Sequence, residues 1–231
     1  MINPGLFLTL EGGEGAGKTT QINLLAEMFR GQGKQVLITR EPFDSEIRKL
    51  LVTGDPDRWS KEEEVLLLMV DRSRHCREVI WPAIKQGQVV ICDRFQDSTM
   101  AYQGYGDGDD KNIQSLIADL YGRFMGNFKP DLTILLDIPV EIGLRRSMRP
   151  GNKEIRFESK KVQFHENLRR AYLTMAAAEP NRFLKIDANQ TEKEVFQDIV
   201  NGMAQRQFFL KIQKAGTEEE PTVWIPSSKS R

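Results

Sequence analysis

Cysteine and histidine are scarce in this chain, with two of each in 231 residues. Cys76 and Cys92 are too few for a disulfide framework, and with His75 and His165 far apart in sequence a zinc site has no basis. Cys92 closes the apolar run VVIC and is expected to be a buried core thiol. An excess of charge is also missing: 33 basic side chains face 33 acidic ones, so no bulk field draws the chain to nucleic acid or to a membrane. No apolar run approaches the roughly 20 residues of a membrane span. The N-terminus lacks the basic region and cleavable apolar segment of an export signal. These absences lead to the expectation of a cytoplasmic protein. Its length suits one domain, and its 39% apolar fraction is enough for a core.

What is present begins with GLFLTLEGGEGAGKTT, residues 5–20. An apolar run leads into Gly12-x-x-x-x-Gly17-Lys18-Thr19, followed by a helical pattern carrying Ile22, Leu24, Leu25 and Met28. Strand, glycine loop and helix form the context in which this pattern binds phosphate. The backbone N–H groups of Gly12, Gly13, Glu14, Gly15, Ala16 and Gly17 can curl around a phosphate chain, with Thr20 just behind. The helix N-terminus favours the anion. Lys18 would reach the β- and γ-phosphates and the Thr19 hydroxyl would ligate Mg2+. The chain is therefore expected to bind a nucleoside triphosphate.

Five apolar runs read as strands: Leu6–Leu10, Gln35–Thr39, Val89–Cys92, Leu132–Asp137 and Phe183–Ile186, with helical patterns between them. That alternation predicts an α/β fold with a five-stranded parallel sheet flanked by helices. Ligands of such sheets collect at the carboxyl ends of the strands, and the polar motifs follow directly on these runs. They include Thr39-Arg-Glu-Pro42 and Asp93-Arg94-Phe95 with Asp97-Ser-Thr-Met-Ala-Tyr-Gln-Gly104. Asp93 could hold a water of the Mg2+ shell or pair with Thr19, and Arg94 offers a bidentate fork to a second phosphate. Residues 145–161 carry seven basic side chains against two acidic ones, interrupted by Pro150-Gly151-Asn152. In a phosphate-transfer enzyme this is a lid, expected at about residues 145–160, whose arginines close over the transferring group. Residues 214–231, rich in Ser, Pro and Glu, read as a flexible tail after a domain spanning 1–213.

The ordered set GGEGAGKTT, TREP, DRF-x-DST-x-AYQG, KPDLTILLD and IDAN resembles the bacterial thymidylate kinases, from about Gly5 to about Phe208. The resemblance implies a P-loop nucleoside monophosphate kinase fold, phosphorylation of dTMP by ATP with Mg2+, and a homodimer packed through helices. It implies that Glu14 contacts the sugar 3′-hydroxyl, Arg94 holds the acceptor phosphate and Arg72 reaches the thymine ring oxygen. Glu41, Ser98, Thr99, Tyr102 and Gln103 would line the nucleoside pocket, Arg156 would be a lid arginine, and Asp187-Ala-Asn189 would pass the adenine of ATP. Lys18, Arg94 and Arg156 are the candidate catalytic residues. No general base is expected, because the acceptor phosphate oxygen is already ionised.

Two positions depart from the family pattern. Pro42 is followed by Phe43-Asp44-Ser45 instead of Gly-Gly-Thr, in a segment about four residues short. Leu68 stands where the family stacks a phenylalanine on the base, losing an aromatic term of order 1 kcal/mol. Phe43 is a candidate replacement ring. Three competing readings are a kinase for another acceptor such as dUMP, a GTPase switch and a non-catalytic nucleotide-binding protein. Asn152-Lys153-Glu154-Ile155 falls short of the guanine-reading signature.

Overall fold

A computed structural model describes residues 5–53, 58–147, 160–206 and 208. Of the expected lid, residues 148–159 lie outside the described residues, with Arg149, Lys153 and Arg156 among them, and so does the whole 214–231 tail. Five strands form one parallel sheet: β1 Leu6–Glu11, β2 Val36–Arg40, β3 Val89–Asp93, β4 Leu132–Asp137 and β5 Phe183–Asp187. Their order is β2-β3-β1-β4-β5. Every strand ends on a polar residue, so four of the five run one residue beyond the apolar stretch that marks them in sequence. Those end residues place Glu11, Arg40, Asp93, Asp137 and Asp187 along one edge of the sheet.

The chain builds β2 and β3 on one side of β1 and then crosses to build β4 and β5 on the other. The carboxyl end of β1 is therefore the topological switch point, where open α/β sheets bind ligands. β1 is buried throughout because both faces are covered. Leu8 and Leu10 pack with Ile22, Leu25 and Phe29 of α1 (Lys18–Gly31) and Ile199 of α9 (Glu192–Gln205). On the opposite face, Phe7 packs with Val90, Cys92, Phe95 and Met69. Both cysteines are buried and free. A buried hydroxyl pair, Thr9 Oγ1 and Thr133 Oγ1 at 2.9 Å, links β1 to β4.

Between β2 and β3 lie α2 (Ser45–Val52) and α3 (Lys61–His75). Ser60 and Glu63 start α3 with a reciprocal capping box. The helix then widens into a π turn over Cys76–Ile80 before α4 (Trp81–Lys85), where Pro82 supplies no backbone donor. After β3 come α5 (Gln96–Thr99) and a π turn, Met100–Tyr105, which carries Tyr102 and Gln103. Such turns recur at functional sites. The remaining helices are α6 (Lys111–Met125), α7 (Val140–Ser147) and α8 (Val162–Ala178). Among the described residues, no helix is long and apolar enough to cross a membrane.

Candidate active site

The loop between β1 and α1 has the geometry that its glycines imply. Gly12, Gly15 and Gly17 sit at φ +141°, +67° and +88°. A Cβ on Gly12 would strike the Leu136 carbonyl, and one on Gly15 the Gly143 carbonyl. Both positions thus need glycine for space as well as for conformation. Lys18 folds back to donate to the Gly12 and Gly13 carbonyls, each at 3.1 Å. Burial, with Arg94 nearby, lowers the Lys18 pKa below the ordinary lysine value. Thr19 stays exposed at the mouth of the loop.

From this loop opens a cleft of about 880 Å3. On the β2/β3 side it is walled by Glu41, Leu68, Arg72, Arg94, Ser98, Thr99, Tyr102 and Gln103, all expected from sequence. On the β4/β5 side the wall is Arg146, Ala188, Gln190, Thr191, Glu192 and Val195. Glu14 through Thr20 and Asp93 lie between the two halves.

Arg94 follows β3 at φ +67°, a left-handed conformation that costs a side-chain-bearing residue roughly 1–2 kcal/mol. Such strain persists where surroundings over-determine it, often at functional sites. Its Nη2 donates to Glu14 Oε1 at 3.1 Å, and its Nη1 to the Gly12 carbonyl at 3.2 Å and Ser98 Oγ at 3.1 Å. Gly12 O therefore accepts from both Lys18 and Arg94, which brings the two cations to one carbonyl. Tyr102 Oη donates to Glu14 Oε1 at 2.5 Å. Burial pushes the Glu14 carboxyl up, but Arg94, Lys18 and this hydroxyl outweigh it and hold it below the ordinary range.

Arg72 is almost fully buried on α3. Its Nε donates to Glu41 Oε2 at 2.8 Å and its Nη2 to Thr99 Oγ1 at 2.8 Å, with the guanidinium 5.1 Å from the Phe95 ring centre. Nη1 has no partner among the described residues. A buried donor beside the cleft without a partner is costly unless a ligand supplies one. Glu41 is held from behind by His75, whose Nδ1 lies 3.2 Å from Oε1 and whose Nε2 lies 2.7 Å from Thr39 Oγ1. His75 thus supports the Glu41–Arg72 pair from outside the cleft.

The departure after Pro42 is absorbed locally. Asp71 accepts from Phe43 N at 2.7 Å and Asp44 N at 2.6 Å, while Asp44 caps α2 and pairs with Arg74. Phe43 does not offer its ring to the cleft. It stacks on His75 at 4.6 Å between ring centres, which uses the ring to pin the shortened loop on α3. Leu68 lines the β2/β3 side of the cleft.

Among the basic residues of the 145–161 stretch, Arg146 lines the cleft and donates to the Ala188 carbonyl at 3.0 Å. Three functional-site features are not legible in the sequence. Glu11 and Tyr172 form a buried polar group beneath Arg94. Arg182 grips Asp97 through two bonds, at 2.7 and 2.9 Å. Gln21 donates to the Glu192 carbonyl at 2.9 Å and joins α1 to α9.

The residues present fit a Mg2+–nucleotide complex. Asp93 Oδ1 is buried without a partner among the described residues, beside Lys18 and the loop. No group of three or more acidic, histidine or cysteine side chains forms an ion cage among the described residues.

Residues 10–199 match the Thymidylate kinase family model. The thymidylate kinase of Caulobacter vibrioides is 47% identical over 206 residues, covering 87% of this chain and 97% of the relative. That of Magnetococcus marinus is 46% identical over 190 residues, covering 80% and 89%. A crystal structure of thymidylate kinase from Ehrlichia chaffeensis superposes with a TM-score of 0.68 at 30% identity, over 86% of this chain and 98% of that one.

Proposed function

The chain belongs to the thymidylate kinase family, and from that premise we propose how its cleft divides the reaction. It phosphorylates dTMP to dTDP with ATP as donor, a step toward dTTP. ATP occupies the β4/β5 half, with its phosphates in the glycine loop under Lys18. dTMP occupies the β2/β3 half, with its 5′-phosphate on Arg94, its 3′-hydroxyl at Glu14 and its base on Leu68. The observation that carries this division is the unpaired Arg72 Nη1, a buried donor with no partner among the described residues on a side chain that lines the β2/β3 half; in this reading a ring carbonyl of the base supplies the partner.

Transfer then needs little covalent help. An ionised oxygen of the dTMP phosphate attacks the γ-phosphorus, and the bond to the β–γ bridging oxygen breaks to release ADP. The protein supplies alignment and positive charge. Lys18 and Arg94 flank the path, and Arg156, which lies outside the described residues, is the lid arginine in this reading. Thr19, with Asp93 behind a water, would hold Mg2+, which supplies charge neutralisation at the phosphates.

The quaternary reading is a homodimer through α3 and α6. Leu66 and Val70, one turn apart on α3, are 50% and 61% exposed, and Phe124 on α6 is 48% exposed. Burying such a face against a second copy removes apolar surface from water. In this reading the protein is cytoplasmic, as its family is. A coupled ADP-release assay with ATP, Mg2+ and each nucleoside monophosphate in turn tests the function. A clear preference for dTMP is expected. Preference for another monophosphate would overturn the placement of the base on Leu68 and Arg72.

A further inference from the structure

On the reading of Arg94 as the acceptor-phosphate arginine, we propose that Glu11 is its buried counter-carboxylate and positioning residue, acting through the Ser98 and Tyr172 hydroxyls. Glu11 is the last residue of β1 and is completely buried. Its partners are Phe95 N at 2.7 Å, Ser98 Oγ at 2.6 Å and Tyr172 Oη at 3.1 Å, none of them a cation. Both hydroxyls also accept from Arg94 Nη1, at 3.1 Å for Ser98 and 3.4 Å for Tyr172, and lie 2.9 Å from each other. Two polarised paths thus run from the guanidinium through a hydroxyl to the carboxylate. A hydroxyl that gives its proton to a carboxylate becomes a better acceptor for the next donor.

The arrangement separates the two edges of the arginine. The Nη1 edge is held from the core by these relays and the Gly12 carbonyl. The Nη2 edge faces Glu14 in the cleft, where both side chains keep about a fifth of their surface exposed (19% and 20%). A direct Glu11–Arg94 pair would compete with a ligand phosphate for the fork. The relay fixes the fork from the core side, so that of its two edges only Nη2, paired with the partly exposed Glu14, is turned to the cleft. Glu11 also holds the strained backbone, because its Oε1 takes the N–H of the residue after Arg94 while Arg94 N donates to Leu10 O at 3.1 Å. Tyr172 reaches this point from α8, 161 residues along the chain from Glu11.

Two near-isosteric variants test the relay. Tyr172→Phe keeps the ring in the core and deletes one hydroxyl. Glu11→Gln keeps an acceptor for Phe95 N, but its amide donates toward the hydroxyls and reverses both paths. Assayed at pH 8, where Glu11 is ionised, each is expected to raise the KM for dTMP about tenfold, the weight of one or two hydrogen bonds, and to leave the KM for ATP unchanged. The double variant is expected to cost less than the two single effects combined, as for groups in one network. Arg94→Ala is measured alongside. If it raises the dTMP KM while the two relay variants do not, the relay is wrong and the acceptor reading stands. Equal rises in both KM values would reduce Glu11 to a structural residue and overturn the proposal. An Arg94→Ala enzyme with an unchanged dTMP KM would overturn the acceptor reading and the relay with it.

Discussion

Replacing Glu11 by Gln should change how stability depends on pH. Burial, and then the charge of Asp97, push the Glu11 carboxyl from 4.5 up to about 7, against the opposing pull of Ser98, Arg94 and Phe95 N. In the unfolded chain it returns to the ordinary value. Between pH 4.5 and 7 the folded protein therefore holds a proton at this site that the unfolded chain has released. Its contribution to stability is fully present below pH 4.5 and is lost as pH rises through 7. The displacement corresponds to about 3 kcal/mol, or a melting shift of roughly 6–12 °C for a chain of this size. Gln has no such proton to lose. The melting temperature of Glu11→Gln minus that of the wild type should thus climb from pH 4.5 to pH 8 by roughly that amount. Any fixed effect of the altered hydrogen bonds adds the same offset at every pH. Melting curves of both proteins at half-unit pH steps measure the difference. Parallel profiles across the window would refute the assignment of a raised carboxyl to Glu11.

Other expectations follow from named contacts. Lys18→Ala should lower kcat by at least about a hundredfold with an unchanged circular dichroism spectrum; near-full turnover would contradict the loop's role. Arg182→Ala leaves Asp97 buried and without its bidentate partner, so chemical denaturation should show a loss of about 3–5 kcal/mol. A loss under 1 kcal/mol would show that Asp97 finds another partner. On the proposed α3 dimer, the wild type should sediment as a dimer and Val70→Asp, which places a charge in the exposed stripe, as a monomer; a monomeric wild type or an unchanged dimer in the variant would contradict that interface.

The strands were legible because each is a short continuous apolar run, and the glycine loop because its spacing encodes backbone geometry. Strand ends were less legible. A polar residue such as Glu11 or Asp93 closes a run in sequence while still pairing in the sheet. The β2/β3 wall of the cleft could be read from the DRF-x-DST-x-AYQG segment, where Arg94 to Gln103 are close along the chain. The support behind that wall could not. Tyr172 beneath Arg94, Arg182 on Asp97 and His75 behind Glu41 are polar partners set by tertiary packing, with no local signal to announce them. Phe43 shows the converse case: a ring conspicuous in sequence is taken up by His75 and serves the loop instead of the base.

The division of the cleft is tested most directly by calorimetric titration of ATP and dTMP into Lys18→Ala and Arg94→Ala. A crossed pattern is expected, in which Lys18→Ala loses ATP affinity and largely keeps dTMP, while Arg94→Ala loses dTMP affinity and largely keeps ATP. Both variants losing the same ligand, or each losing both ligands equally, would contradict the assignment of the two halves.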